Sequence, residues 1–155
     1  MAKKIVLVTG GFDPVHSGHV SYIRAARELG DVLIVGVNSD SWLVRKKGEP
    51  FMPLDERGAI IEEFKSVDVV IVFDDSDGTA IDAINQVLEM YPEDEVFFAN
   101  GGDRTLDNIP EMVVDSNRLR FVFGVGGNDK KNSSSWILKD YKERVNNGNK
   151  EKEDR

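Results

Sequence analysis

The run Ile5-Val6-Leu7-Val8-Thr9, apolar at four consecutive positions and closed by Gly10-Gly11, constrains the fold more than any other stretch of this chain. A strand with one face in water alternates apolar and polar residues. An unbroken β-branched run is instead buried on both faces, as happens where helices cover both sides of a parallel sheet. After the loop from Gly10 to His16, Val20, Ile23, Ala26 and Leu29 recur at helical spacing, and Gly30 supplies a stop. Val32-Leu33-Ile34-Val35-Gly36-Val37 is a second buried-type run ending in the polar cluster Asn38-Ser39-Asp40. These segments predict a βαβ unit with a right-handed crossover and the first strand at the sheet centre. Its loops should gather at the carboxyl ends of the strands, where a ligand belongs.

The alternation continues. Trp42 to Pro53, charge-rich with one glycine and two prolines, reads as a long working loop. Ile60, Ile61, Phe64 and Val67 mark a helix beginning near Leu54, and Val69 to Phe73 is a strand. Asp74-Asp75-Ser76-Asp77-Gly78 reads as a turn; it lacks the twelve-residue calcium-loop pattern. Ile81, Ile84, Val87, Leu88 and Tyr91 repeat the helical stripe, and Val96 to Ala99 is a fourth strand before Asn100-Gly101-Gly102-Asp103. Phe121 to Phe123 is a fifth strand, and Ser133-Ser134-Ser135 caps a last helix. The expected fold is a single-domain α/β, doubly wound, Rossmann-like parallel sheet of about five strands. The domain covers residues 1–145, and the polar segment 146–155, without an apolar residue, is expected to be a frayed tail.

Composition removes several function classes. The 155 residues suit one domain, and the absence of cysteine excludes disulfides, zinc ribbons and thiol nucleophiles. A net charge of −8 opposes nucleic-acid binding. The apolar run near the N-terminus is too short for a signal core or a membrane span, so a cytoplasmic protein without a membrane partner is expected.

Both histidines of the chain, His16 and His19, sit three residues apart directly after the first strand, at the mouth of the first helix. At that spacing the rings share a helical face and aim at one point above the central strand. Gly10, Gly11 and Gly18 let backbone approach a bulky phosphate, and helix-terminal amides attract anions. Charge gathers on the oxygens of a phosphorus under substitution, and two imidazole donors stabilise it there. A two-histidine metal site would need a third ligand such as Asp13.

The segment Gly11-Phe12-Asp13-Pro14-Val15-His16-Ser17-Gly18-His19 resembles the GxFDxxHxGH signature of the cytidylyltransferase-like nucleotidyltransferases. The resemblance continues through Ala26 to Asp31, Val37-Asn38-Ser39-Asp40, Lys46-Lys47-Gly48, Pro53-Leu54-Asp55-Glu56-Arg57 and Gly101-Gly102-Asp103, covering roughly residues 4 to 138. It implies transfer of a nucleoside monophosphate from a nucleoside triphosphate to a phosphorylated small molecule, with magnesium, release of pyrophosphate and no covalent intermediate. His16 and His19 would then bind the reacting triphosphate, and Lys46 would bridge donor and acceptor phosphates. Gly10, Gly11, Phe12, Asp13 and Gly18 would shape the nucleotide pocket, with Arg57, Asp103, Ser133, Ser134 and Ser135 completing the phosphate contacts. Within the family the chain is most similar to the heptose-1-phosphate adenylyltransferase domain, which implies ATP as donor and a sugar phosphate as acceptor.

Glycerol-3-phosphate cytidylyltransferases share the first signature, so CTP with a polyol phosphate is the alternative. Their late RTxGxSTT element is replaced here by Asn128-Asp129-Lys130-Lys131-Asn132-Ser133-Ser134-Ser135, where only a lysine can supply the charge. Asn100 stands where heptose enzymes carry a lysine in KGGD. A noncatalytic nucleotide-binding module is the further alternative, and a nicotinamide-binding domain fails because Gly10-Gly11-Phe12-Asp13 does not spell GxGxxG. Trp42 and Trp136 are read as packing residues. A homodimer is the default assembly.

Overall fold

The structure is a computed structural model and describes residues 2–102, 109–126 and 134–153. Five strands form one sheet: β1 (Lys4–Gly10), β2 (Val32–Val37), β3 (Val69–Val72), β4 (Glu95–Ala99) and β5 (Leu119–Val122). Their order is β3-β2-β1-β4-β5 and every pairing is parallel, so the β-branched run of β1 occupies the centre as its pattern requires. The helices are α1 (Ser17–Arg27), α2 (Asp40–Lys47), α3 (Leu54–Glu62), α4 (Ile81–Met90) and α5 (Ser134–Glu153), with a 3₁₀ turn at Pro110–Val113.

Successive side chains of a strand point to opposite faces, and the core divides accordingly. Ile5 and Leu7 join Ile34, Val96, Phe98 and Leu119 beneath Ala83, Ile84 and Val87 of α4. Val6 and Val8 join Leu33 and Val35 on the other face, beneath Ile23 and Ala26 of α1 and Ile61 of α3. All four β1 side chains from Ile5 to Val8 are fully buried, which is why the sequence there cannot alternate. The chain moves outward from β1 through β2 to β3, then returns to β1's other side for β4. The carboxyl ends of β1 and β4 therefore flank the point where strand order reverses, the usual ligand crevice of such sheets.

Two expectations need correction. The segment expected as a loop from Trp42 is helical as far as Lys47. Ser39 caps α2 by accepting from the Trp42 amide at 3.1 Å, Asp40 occupies the first turn, and Arg45, Lys46 and Lys47 the last. Each favours a helix. Gly48 ends it at φ +106°, and the prolines that suggested a loop act only beyond that point. The polar segment after Asn146, expected to fray, continues α5 to Glu153.

Candidate functional site

The first turn of α1 is closed by the two histidines themselves. His16 is the N-cap residue: its Nδ1 accepts from the Gly18 amide at 3.0 Å, and Nδ1 of His19 accepts from the His16 amide at 3.3 Å. This is a reciprocal capping box built from imidazoles where a hydroxyl and a carboxamide or carboxylate are usual. Its rings stack with centroids 3.9 Å apart and 27° between planes, so the expected convergence is present. A nitrogen that accepts holds no proton, which assigns the proton of each neutral ring to Nε2. Both rings are thus set as Nε2–H donors by the helix start that holds them. Burial, then electrostatic repulsion from the His16 ring and the Lys46 ammonium, pulls the His19 pKa from 6.5 to about 4 and keeps its ring neutral.

Phe12 supports this pair from the preceding loop. Its backbone takes φ +50°, its side chain is buried, and its ring meets His19 edge-on at 4.9 Å and 69°. A Cβ on Gly10 would come within 3.1 Å of the Phe12 ring, and one on Gly11 within 2.9 Å of Leu43 Cδ2. Both glycines lie close against side chains of the protein itself. Gly18 contributes its amide to the cap.

The two lysines at the end of α2 diverge. Lys46 Nζ lies 4.6 Å from the centre of the Trp42 ring, and its charge contributes to the lowered His19 pKa. Lys47 donates to the Asp13 carbonyl at 2.6 Å and pairs with the Asp13 carboxylate at 3.0 Å. That carboxylate also accepts from the amides of Phe51 at 2.7 Å and Met52 at 2.6 Å, and Asp13 is buried. Asp13 was expected in the nucleotide pocket. Its side chain instead clamps the signature loop to the segment between α2 and α3.

Arg57 differs more. It is fully buried; Nε donates to the Met52 carbonyl at 2.9 Å, Nη1 to the carbonyls of Gly11 at 2.8 Å and Asn38 at 2.7 Å, and Nη2 to Asp40 Oδ1 at 2.7 Å. Four of its five N–H donors are directed at protein oxygens that join β1, β2, α2 and α3. The expected phosphate contact gives way to a structural one, because this guanidinium faces inward. Asp103, Ser133, Lys130 and Lys131 lie outside the described residues, and Ser134 and Ser135 open α5.

Asp75 and Tyr22 were not singled out from sequence as site residues, and Asn100 only for the lysine it replaces. Asp75, read as part of a turn, is buried and accepts from Asn38 Nδ2 at 3.0 Å, the Ser39 amide at 2.8 Å and the Ser39 hydroxyl at 2.6 Å. Burial raises its pKa, but the bonds from Ser39 and Asn38 outweigh that and leave it below the usual carboxylate value. It also accepts through its carbonyl from Arg45 at 2.8 Å, fixing both ends of α2. Tyr22 donates from α1 to the Ala99 carbonyl at 2.5 Å, and a Cβ on Gly101 would meet its ring at 3.1 Å. Asn100 turns inward, donating to the carbonyls of Phe98 at 3.2 Å and Val122 at 3.4 Å, and so ties β4 to β5. No sequence signal marks such pairs, since their partners lie tens of residues away.

Among the described residues no group of three or more histidines or carboxylates could hold a metal ion, and no helix is long and apolar enough to cross a membrane. Residues 7–139 match the cytidylyltransferase-like family. The chain belongs to the cytidylyltransferase-like family. This is a family of nucleotidyltransferases, in agreement with the α/β sheet and with the signature at His16 and His19. The cytidylyltransferase-like chain is 36% identical over 146 residues to the bifunctional protein HldE of Geobacter sulfurreducens, covering 91% of this chain and 28% of that protein. With HldE of Citrobacter koseri it shares 37% over 132 residues, 77% of this chain and again 28% of the relative. The chain thus spans less than a third of the length of these relatives. A lipopolysaccharide core biosynthesis protein from Thermoplasma volcanium superposes with a TM-score of 0.61 at 25% identity, covering 83% of this chain and all of that one.

Proposed function

We propose that this domain transfers AMP from ATP to a sugar phosphate such as a heptose 1-phosphate, releasing pyrophosphate. The observation that carries the reading is the imidazole capping box, which presents two Nε2–H donors beside the Lys46 ammonium at the carboxyl end of the central strand. An oxygen of the acceptor phosphate attacks the α-phosphorus, the bond from that phosphorus to the β-phosphate bridging oxygen breaks, and pyrophosphate departs. The nucleophile is already ionised, so no base is needed. His16 and His19 stabilise the charge gathering on the α-phosphate oxygens, and Lys46 neutralises the two approaching phosphates. The similarity to HldE chains supports the choice of ATP and of a sugar phosphate.

Magnesium is expected to accompany the triphosphate. The described residues offer it no cage, since the Asp13 carboxylate is already held by Lys47 and two amides. The ion would be carried by phosphate oxygens and water, where it would neutralise charge. Cytidylyl transfer to a polyol phosphate is the second reading, favoured by the description of the matching family.

Purified protein with magnesium, each of ATP and CTP, and a panel of phosphorylated sugars and polyols should release pyrophosphate for one pair, and mass analysis of the product identifies base and acceptor. Absence of both turnover and nucleotide binding across the panel would overturn the proposal. Binding without turnover would leave a noncatalytic nucleotide module. Sedimentation of the same sample tests the homodimer.

A further inference from the structure

We propose that Trp42 is a positioning residue whose indole face holds the Lys46 ammonium beside the His16–His19 pair. The inference rests on the reading of this site as a phosphoryl-transfer centre. A lysine near the end of a surface helix has a flexible four-carbon stem and samples many rotamers, so its charge is spread over a wide volume unless something holds it. Residues 42 and 46 are four apart on α2, the separation at which helical side chains meet. The ammonium lies 4.6 Å from the ring centroid, inside the ~6 Å range over which an indole face attracts a cation.

The indole lies against the signature loop. A Cβ on Gly11 would stand 3.4 Å from Trp42 Cζ3, so the ring rests on the loop that leads to His16. Its backbone amide is tied to the Ser39 hydroxyl, which the buried Asp75 carboxylate holds. The platform under Lys46 is therefore referenced to the same loop as the imidazoles. Its neighbour Lys47 is engaged by Asp13, which separates the two lysines: Lys47 closes the fold, whereas Lys46 lies over the Trp42 face. A π face attracts an ammonium more weakly than a phosphate dianion does, so it can keep Lys46 in place before substrate arrives and release it to an incoming phosphate. This also accounts for a tryptophan on a half-exposed turn of α2 where a smaller apolar residue would pack.

The test uses the full chain with Trp42→Phe, Trp42→Leu and Lys46→Met, each checked for folding by circular dichroism. Two readouts are taken: the His19 titration by proton NMR without ligand, and steady-state pyrophosphate release. Trp42→Leu should move the His19 midpoint upward, in the same direction as Lys46→Met, because the cation that disfavours protonation is no longer held near. Trp42→Phe should leave it near the wild-type position. In turnover, Trp42→Leu should lower kcat about 2–5-fold with little change in KM for the nucleotide, and Trp42→Phe should recover most of the loss. Should Trp42→Leu fail to fold, Trp42→Met takes its place.

An unchanged His19 titration in Trp42→Leu alongside a shifted one in Lys46→Met would overturn the proposal and leave Trp42 as packing. An unchanged titration in Lys46→Met would overturn it as well, and so would equal slowing by phenylalanine and leucine. If no variant and no wild-type protein releases pyrophosphate, the phosphoryl-transfer reading fails, while the ligand-free titration still decides whether Trp42 holds Lys46.

Discussion

Replacing Arg57 with methionine should cost the protein about 3–5 kcal/mol of stability, the range for breaking a buried charged network from one side. The side chain is fully buried and makes four bonds of 2.7–2.9 Å. Methionine fills much of the same space with a flexible apolar stem, so the loss is chiefly one of donors. The carbonyls of Gly11, Asn38 and Met52 lose a charged partner, each such bond contributing about 1.5–3 kcal/mol, though not additively. Asp40 adds little, because its side chain is 44% exposed and water replaces the guanidinium. For a chain of this size each kcal/mol shifts Tm by about 2–4 °C, giving a fall of roughly 6–20 °C by circular dichroism. Arg57→Lys, which keeps the charge without the planar fork, should fall in between. A wild-type Tm in Arg57→Met combined with a tenfold rise in KM for the nucleotide would refute the reasoning, since it would mean that the guanidinium meets substrate and the fold does not need it.

The imidazole cap separates helix stability from chemistry. His16→Asn supplies a good N-cap, so unfolding in urea should change by less than about 1 kcal/mol, whereas turnover should fall about 10²–10³-fold for want of a preorganised donor. The His19 pKa is lower in the folded protein, about 4 against 6.5, so the unfolded chain binds more protons between these values. Its contribution is present above pH 6.5 and lost as pH falls toward 4, up to about 3 kcal/mol; urea titrations at pH 7 and 4.5 should show this dependence flattened in His19→Ala. Asp75→Ala removes the acceptor of three bonds that fix Ser39 and Asn38. It should destabilise by about 2–4 kcal/mol and, in hydrogen exchange, loosen α2 amides before those of β1.

The sheet and the histidine pair were legible because each follows from a local pattern. A continuous β-branched run at Ile5–Val8 admits few placements other than the sheet centre, and a three-residue spacing puts two rings on one face of a turn. α2 was obscured by weighting Pro50 and Pro53 over the Ser39 cap and the charge order from Asp40 to Lys47, although both signals were present. The family resemblance singles out Lys46, but only that helix gives a geometric reason for Lys46 and Lys47 to differ. On it they point about 100° apart, one toward Trp42 four residues back and the other toward Asp13. The inward roles of Arg57, Asp13 and Asp75 depend on partners 5 to 46, 34 to 39 and 30 to 37 residues distant, which no periodicity reveals. A buried arginine and a liganding arginine look alike in a one-dimensional string.

The histidine-built helix start also limits how this scaffold can change over evolution. Each ring gives its lone pair to an amide, so neither can collect a proton from an alcohol or a water without unfastening the turn that seats it. Descendants of such a chain can exchange one ready-made anionic nucleophile for another by altering surrounding loops, but adopting an acceptor that must first be deprotonated would require a base recruited from elsewhere.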